Sequence, residues 1–294
     1  MKNIAFIVNP ISGTKTKGRV AKLIRELLDP QQFSPTIVMT EYAGHATQLA
    51  HQFAMEGYYA VVAVGGDGTV NEVAAGLVGT NTALGIVPNG SGNGFARHLD
   101  ISTRMNRAVE MLNSSEVIQV DYGMVNDKCF FSTCGMGFDA LVAMHFSKGS
   151  TRGLTGYVQN IVNNIFQYKA EPYHIVGDNV NISTNALLVN FANANQWGYD
   201  AYVAPKASIQ DGWLDLVIVD EFPVKAAAEL TLNYLAKLID EEGLHTDTTH
   251  VKEVTVNRVN AGPIHIDGDP IEMPAELHIK VVEDGLKVLV KKRF

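Results

Sequence analysis

Nine glycines crowd the stretch from Gly65 to Gly94 (65, 66, 68, 76, 79, 85, 90, 92 and 94), out of 26 in a chain of 294 residues. Gly65-Gly66-Asp67-Gly68-Thr69-Val70-Asn71-Glu72 ends one apolar, β-rich run and opens a helical pattern. Pro88-Asn89-Gly90-Ser91-Gly92-Asn93-Gly94-Phe95 does the same after the run 84–87, and Asn9-Pro10-Ile11-Ser12-Gly13, with Lys15 just beyond, follows the first run. Glycine at a strand end lets a ligand approach the backbone, and a helix N-terminus offers unpaired N–H groups to anionic oxygens. Three such loops at the carboxyl ends of strands describe the crevice in which open α/β sheets hold ligands. Asp67 would repel a phosphate unless Mg²⁺ lay between them, so the first loop points to a Mg-nucleotide. A tight strand-to-helix turn with an aspartate cap is the structural alternative. No loop matches the G-x-x-x-x-G-K-[ST] phosphate loop.

The organisation agrees with such a sheet. Strands are expected at 4–8, 34–40, 60–65, 83–87 and 117–125, alternating with helices at 17–28, 46–56, 70–78 and 104–113. After Lys128 the texture changes to strand-like runs at 129–134, 186–191, 213–219, 251–256 and 277–282, with two strongly helical stretches between them. A further strand at 285–290 has no readable destination. The expected fold is α/β: an N-terminal parallel-sheet nucleotide-binding domain over 1–127, a C-terminal mainly antiparallel β domain over 128–294, and a cleft between them. There is no repeat, low-complexity tract or Gly/Ser linker.

Hydrophobic content of 46% with 18% charged residues excludes disorder. A net charge of −8 argues against nucleic acid as a partner and against a broad basic surface for anionic lipid. The longest apolar runs, such as 58–64, are too short to cross a bilayer, and the N-terminus reads as a buried strand and not as a signal peptide. Cys129 and Cys134 are expected to be buried, reduced thiols. The expected compartment is the cytoplasm.

Asn-Pro-x-Ser-Gly, Gly-Gly-Asp-Gly-Thr-x-Asn-Glu and Pro-x-Gly-Ser-Gly-Asn, in this order and spacing, resemble the catalytic domain of the diacylglycerol kinase family. That family includes bacterial lipid kinases, sphingosine kinases and ceramide kinases. The Gly-Gly-Asp-Gly-Thr loop alone is shared with NAD kinases and, more distantly, phosphofructokinases. The resemblance implies ATP and Mg²⁺ as cofactors. It implies that Asn9, Pro10, Ile11, Ser12 and Gly13 line the nucleotide site. Gly65, Gly66, Asp67, Gly68, Thr69, Val70 and Asn71 would surround the phosphates, with Asp67 on the metal. Thr40 and Ser91 would lie near the nucleotide. Asn93 and Arg97 would support this wall, although a solvated arginine is the plainer reading of Arg97.

In the second half, Asp267-Gly268-Asp269 is a strong hairpin-turn signal by itself. The resemblance assigns an acidic pair at this place to catalysis, which makes Asp267 and Asp269 the catalytic candidates. If the segment is extended they project to the same side, one accepting a proton and the other orienting it or holding a metal; which is the base stays open. In Gln210-Asp211-Gly212-Trp213-Leu214-Asp215 the resemblance implies a structural Mg²⁺ held by Asp211 with the carbonyls of Ser208 and Trp213, and Asp215 assisting. The alternative is a plain hairpin turn. Cys134-Gly135-Met136-Gly137-Phe138-Asp139-Ala140 satisfies Gly-x-Gly-x-x-Ala but lacks an acid about 20 residues on, so it is not a dinucleotide site. His245 and His250 have no cysteine pair upstream, which argues against zinc. Leu154, Tyr157, Val158, Ile161, Val162, Ile165 and Phe166 repeat at helical spacing, as a core-facing helix or the lining of an acyl cleft.

The activity implied is ATP-dependent phosphorylation of a lipid hydroxyl, first of all diacylglycerol to phosphatidic acid. Sphingoid-base or ceramide kinase, NAD kinase and a non-catalytic nucleotide-binding regulator are the alternatives, and the acidic pairs speak against the last. The expected partners are ATP, a lipid taken from a membrane surface through local and transient contact, and a second copy in a homodimer.

Overall fold

Residues 4–8, 60–65 and 83–87 carry no charged or strongly polar side chain, the pattern of strands covered on both faces. The structure, a computed structural model described over residues 1–13, 17–148, 168–177, 179–221, 242–243 and 246–292, buries all of them. By contact the chain divides into two units, Met1–Val120 with Asp284–Phe294, and Asp121–Glu283.

The first unit contains β1 (Lys2–Val8), α1 (Lys17–Leu27), β2 (Phe33–Met39), α2 (His45–Met55), β3 (Ala60–Gly65), α3 (Asp67–Leu77), β4 (Ala83–Pro88), α4 (Gly94–His98) and α5 (Met105–Leu112). β5 (Ser115–Val125) carries the chain onward into the second unit. The sheet runs β2-β1-β3-β4 with every pairing parallel. All four strands therefore end at one edge, where the Asn9, Thr40, Gly65 and Pro88 loops begin. On α5, Met105, Ala108, Val109 and Leu112 are buried at helical spacing. α2 and α3 pack closely because position 76 is glycine; a Cβ there would collide with the Thr47 carbonyl.

The second unit comprises β6 (Lys128–Phe130), β7 (Thr133–Gly137), α6 (Phe138–Lys148), β8 (Glu171–Gly177), β9 (Asn181–Ala192), β10 (Gln196–Gly198), β11 (Ala201–Tyr202) and β12 (Leu214–Asp220). It continues with β13 (Glu242–Gly243), β14 (Thr246–Val251), β15 (Glu253–Arg258), β16 (Gly262–Ile266) and β17 (Asp269–Met273). β18 (Glu276–Lys291) begins here and ends in the first unit, where Val288 pairs in parallel with Leu84 of β4. The pairings β9–β12, β12–β14, β8–β9, β8–β15, β7–β9 and β7–β16 are all antiparallel. Phe130, Met136, Phe191, Leu216 and Leu277 are among the fully buried residues of its core. The fold is thus α/β with an N-terminal parallel sheet and a C-terminal antiparallel β region.

Four details differ from expectation. α3 starts at Asp67 and not at residue 70, because Gly66 is its N-cap and the Asp-Gly-Thr segment is already helical. The run 129–134 is two strands, β6 and β7, broken at Phe131-Ser132. The run 251–256 is likewise divided, between β14 and β15. Conversely, 277–282 and 285–290 are one strand, β18, despite a left-handed Asp284 (φ 51°). The helix expected from Leu154 to Phe166, Lys15 and His245 lie outside the described residues.

Candidate nucleotide and catalytic sites

The three glycine-bearing loops of the first unit are locked to one another by side chains. Asn9 donates from Nδ2 to Thr69 Oγ1 (3.0 Å) and accepts at Oδ1 from the Ile11 N–H (3.0 Å). Asn89 Nδ2 donates to the Ser12 carbonyl (2.8 Å), and Gly13 (φ 67°) leaves no room for a Cβ beside the Asn89 amide. Asp67 accepts the N–H groups of Asn93 and Gly94, each at 2.8 Å, and so caps α4 from another loop. Gly66 and Gly90 touch backbone to backbone, since a Cβ on Gly90 would collide with the Gly66 Cα. Arg97 is not simply solvated; its Nε donates to the Gly92 carbonyl (3.0 Å).

Beside these loops lies a cavity of about 310 Å³. Of the residues expected around a nucleotide, Asn9, Pro10, Ile11, Ser12, Thr40, Gly66, Gly68 and Thr69 line it. Gly13, Gly65, Asp67, Val70, Asn71 and Ser91 do not: Gly65 makes room for the Thr69 side chain, Val70 is buried in α3, and Ser91 is exposed on the third loop. Sequence reasoning missed Glu41, Tyr42, Ala43, Ala46 and Glu72, which complete the wall. Glu72 holds that side in place by accepting from the Gly44 N–H (2.8 Å) and the Ala46 N–H (3.1 Å). Its signal was the acid that closes the Gly-Gly-Asp-Gly-Thr-x-Asn-Glu motif. Tyr42 is stacked on His45 with ring centroids 4.6 Å apart.

In the second unit, Asp267 and Gly268 have φ of 50° and 89° and join β16 to β17 as a two-residue hairpin loop. The extended geometry that would have projected both acids to one side is therefore absent. Asp267 turns back on the chain. Its carboxylate accepts the N–H groups of Phe131 (3.0 Å), Ser132 (2.7 Å) and Thr133 (3.0 Å), and its own N–H donates to the Thr133 carbonyl (2.9 Å). Phe131 and Ser132 lie in the break between β6 and β7, and Thr133 is the first residue of β7. Asp269, the first residue of β17, is exposed. Arg258 ties the base of the hairpin together, donating to the carbonyls of Gly262, Pro263, Met273 and Pro274. Burial pushes the Cys134 thiol well up, and Asp267 and Asp139 push it further, so it stays protonated.

Asp211 is exposed and accepts the Trp213 N–H (3.1 Å), while Ser208 Oγ accepts the Gln210 N–H (3.3 Å). This turn is fixed by a residue the sequence did not single out: buried Asp121 accepts the Gly212 N–H (2.8 Å) and donates its own N–H to the Ile209 carbonyl (2.7 Å). Asp215 is buried and paired with His250 (3.2 Å). Among the described residues no group of three or more His, Cys, Asp or Glu is placed to hold a metal. A cation here would rely on one carboxylate with carbonyl and other oxygens, a hard donor set that suits Mg²⁺. At Asp67, an oxygen donor of the hard kind that Mg²⁺ takes, both carboxylate oxygens already accept a backbone N–H. Among the described residues no helix is long and apolar enough to cross a membrane.

Two family models match the chain in succession. A family model described as "Diacylglycerol kinase catalytic domain" matches residues 3–125, and one described as "YegS C-terminal NAD kinase beta sandwich-like domain" matches 132–290. The "Probable lipid kinase YegS-like" of Citrobacter koseri is 28% identical over 255 residues, covering 83% of this chain and 82% of the relative. Its namesake in Chromohalobacter salexigens is 29% identical over 238 residues, covering 79% and 76%. The crystal structure of a diacylglycerol kinase from Bacillus anthracis superposes with a TM-score of 0.77 at 20% identity, covering 98% of this chain and 97% of that one, and so shares the fold. With both halves matched in order, the chain belongs to the diacylglycerol-kinase-type family of lipid kinases.

Proposed function

We propose that this protein transfers the γ-phosphoryl group of ATP to the hydroxyl of a membrane lipid, diacylglycerol first among them, giving phosphatidic acid and ADP. The observation that carries this reading is the cavity at the carboxyl edge of the β2-β1-β3-β4 sheet. There the N-terminus of α3 and the polar side chains of Asn9, Thr40 and Thr69 meet, as an anionic ligand requires. Asp67 would hold Mg²⁺ together with the phosphates, and the ion would neutralise charge on the transferring group. Asp211 with the Ser208 and Trp213 carbonyls is the proposed structural Mg²⁺ site.

The acceptor hydroxyl is a weak nucleophile at neutral pH and gains from a carboxylate that takes its proton. We assign that role to exposed Asp269, and the role of anchor to Asp267, whose carboxylate is committed to three backbone amides. As the lipid oxygen bonds to the γ-phosphorus, its proton passes to Asp269 and the bond to the β-phosphate oxygen breaks. The β-rich residues from 128 on are proposed to bind the lipid, which a cytoplasmic protein would take up during transient contact with a membrane surface.

ATP labelled at the γ-phosphate, offered with diacylglycerol, sphingosine, ceramide or NAD, tests this reading. Label in phosphatidic acid is the expected result. Label in phosphorylated NAD, or tight ATP binding with no transfer to any acceptor, overturns it.

Glu72→Ala removes the acceptor of two backbone N–H groups on the cavity wall. It is expected to weaken ATP binding in calorimetry and to lower unfolding stability by about 1–3 kcal/mol. Unchanged ATP affinity would show that residues 41–46 are not part of the nucleotide wall.

A further inference from the structure

Next to the Asp267–Gly268–Asp269 turn the second unit buries a pair of ionisable groups. Asp139, in the first turn of α6, is 5% exposed, and His265, on β16, is 1% exposed. Asp139 Oδ2 lies 2.8 Å from His265 Nε2 and also accepts from Asn190 Nδ2 (2.6 Å) and Trp197 Nε1 (3.2 Å). The histidine contact is short but bent, an ion-pair approach and not a linear hydrogen bond. Room for the cluster comes from Gly135, where any side chain would collide with Asp139, His265 and Asn190. Burying two such groups carries a large desolvation penalty before their attraction is counted, and an apolar pair of similar volume would often be neutral or better for stability. Stability alone therefore gives little reason for the pair.

The other face of the histidine supplies one. His265 Nδ1 accepts the N–H of Gly268 (3.3 Å), the residue between the two candidate catalytic acids. A chain of contacts thus runs from α6 through Asp139 and His265 to the backbone of the turn. We propose that His265, oriented by Asp139, is a positioning residue for the Asp267–Gly268–Asp269 turn, and that the turn is held for phosphoryl transfer only while Nδ1 carries no proton. This rests on the reading of Asp269 as the base.

The chemistry follows from the two protonation states of the ring. Neutral imidazole protonated at Nε2 faces Asp139 and keeps a lone pair on Nδ1 for the Gly268 N–H. A second proton on Nδ1 sets one N–H against another, and the bond to the turn is lost. The groups facing the ring are Asp139 from α6, the uncharged Asn190 from β9, and Asp267 and Asp269 from the turn and β17; opposite His265 on β7 stands Gly135, which has no side chain. Burial disfavours the imidazolium, but Asp139, with Asp267 and Asp269 behind it, outweighs burial and raises the pKa above the usual 6.5. Turnover should therefore fall as pH falls through this raised value. The contribution to stability runs the other way: a raised folded-state pKa adds stability that is fully present below about 6.5 and is lost as pH rises through the folded value. A purely structural pair would show only this second dependence.

Two substitutions separate the contacts. His265→Asn places an amide oxygen near the position of Nδ1, where it can accept from Gly268 at every pH, but it cannot reach Asp139. His265→Gln can reach Asp139 but offers Gly268 no acceptor. The expected result is that His265→Asn keeps a turnover close to the wild-type plateau and loses the acid limb of the pH profile. His265→Gln should lose about 10-fold or more in kcat with KM for ATP unchanged, since a misplacement of about 1 Å can cost roughly 10²-fold. Asp139→Asn, which still offers an oxygen to Asn190 and Trp197, should move the acid limb to lower pH. This variant also decides the matter if either His265 variant fails to fold. An acid limb unmoved in Asp139→Asn, or equal turnover in the two His265 variants with the wild-type pH profile, would show that the pair is structural only. Asp269→Asn is assayed in parallel. If it stays active, the assignment of the base fails and the positioning inference falls with it; if it is inactive while the His265 and Asp139 variants behave as wild type, only the positioning inference fails.

Discussion

Asp269→Asn is expected to lower turnover by about 10²–10⁴-fold, the usual worth of a general base, with ATP affinity and melting temperature close to wild type. The side chain is exposed at the first position of β17, so the neutral amide removes proton-accepting capacity and little packing. Asp267→Asn should behave differently. Its carboxylate accepts the backbone N–H groups of Phe131, Ser132 and Thr133, and an amide oxygen can replace only part of that acceptor set. Hydrogen bonds to a charged group are worth about 1.5–3 kcal/mol, so the expected signature is a lower melting temperature with turnover reduced through displacement of the turn. Loss of turnover at unchanged stability in Asp267→Asn, beside an active Asp269→Asn, would reverse the two roles. Near-normal turnover in both on the true lipid would leave the segment a hairpin and nothing more.

The contrast between these two acids shows what kind of information the sequence carries. β1, β3 and β4 were legible because strands buried on both faces leave an unbroken apolar run between glycine-rich loops. The first turn of α3 was not, since Gly66 and Gly68 read as loop while the backbone from Asp67 is already helical. The apolar run 129–134 looked like one strand because nothing in it announces a break. The interruption at Phe131-Ser132 is matched by a carboxylate 136 residues away, which local pattern cannot show. β18 was divided at Asp284-Gly285 for the opposite reason: a turn-like pair tolerated inside a long strand.

The candidate site divides along the same line. Asn9, Ser12, Gly66, Gly68 and Thr69 could be named because glycine-rich loops have a composition, and eight of the expected residues stand around one cavity. Glu41 and Tyr42 could not, because a short polar stretch after a strand has no pattern of its own. Thr40 was named only through the family resemblance. His265 has no local pattern that singles it out; its partner Asp139 is 126 residues earlier, and only the fold brings the two to 2.8 Å. What spacing reveals is chemistry built on one loop, and what it hides is chemistry built across strands.

Asp67 carries the other large expected effect. Its two oxygens hold the N–H groups of Asn93 and Gly94, so the residue already has a structural task before any metal is considered. Asp67→Ala removes that cap, at a cost of about 0.5–2 kcal/mol, and would confound folding with chemistry. Asp67→Asn is the sharper variant: it keeps one oxygen for one of the N–H groups and removes the charge that a Mg²⁺ ion would need. The expected result is a modest fall in melting temperature and a loss of at least about 10²-fold in turnover, the scale on which removal of one preorganised electrostatic group acts. The Mg²⁺ concentration needed for half-maximal rate should rise as well, because the ion would then be held by phosphate and water with less help from the protein. A cap without a metal role predicts otherwise: the melting temperature would fall by the same amount, while turnover and Mg²⁺ dependence of the folded fraction would stay at wild-type values. That outcome would place Asp67 among the residues that join the loops and move the metal-binding assignment elsewhere.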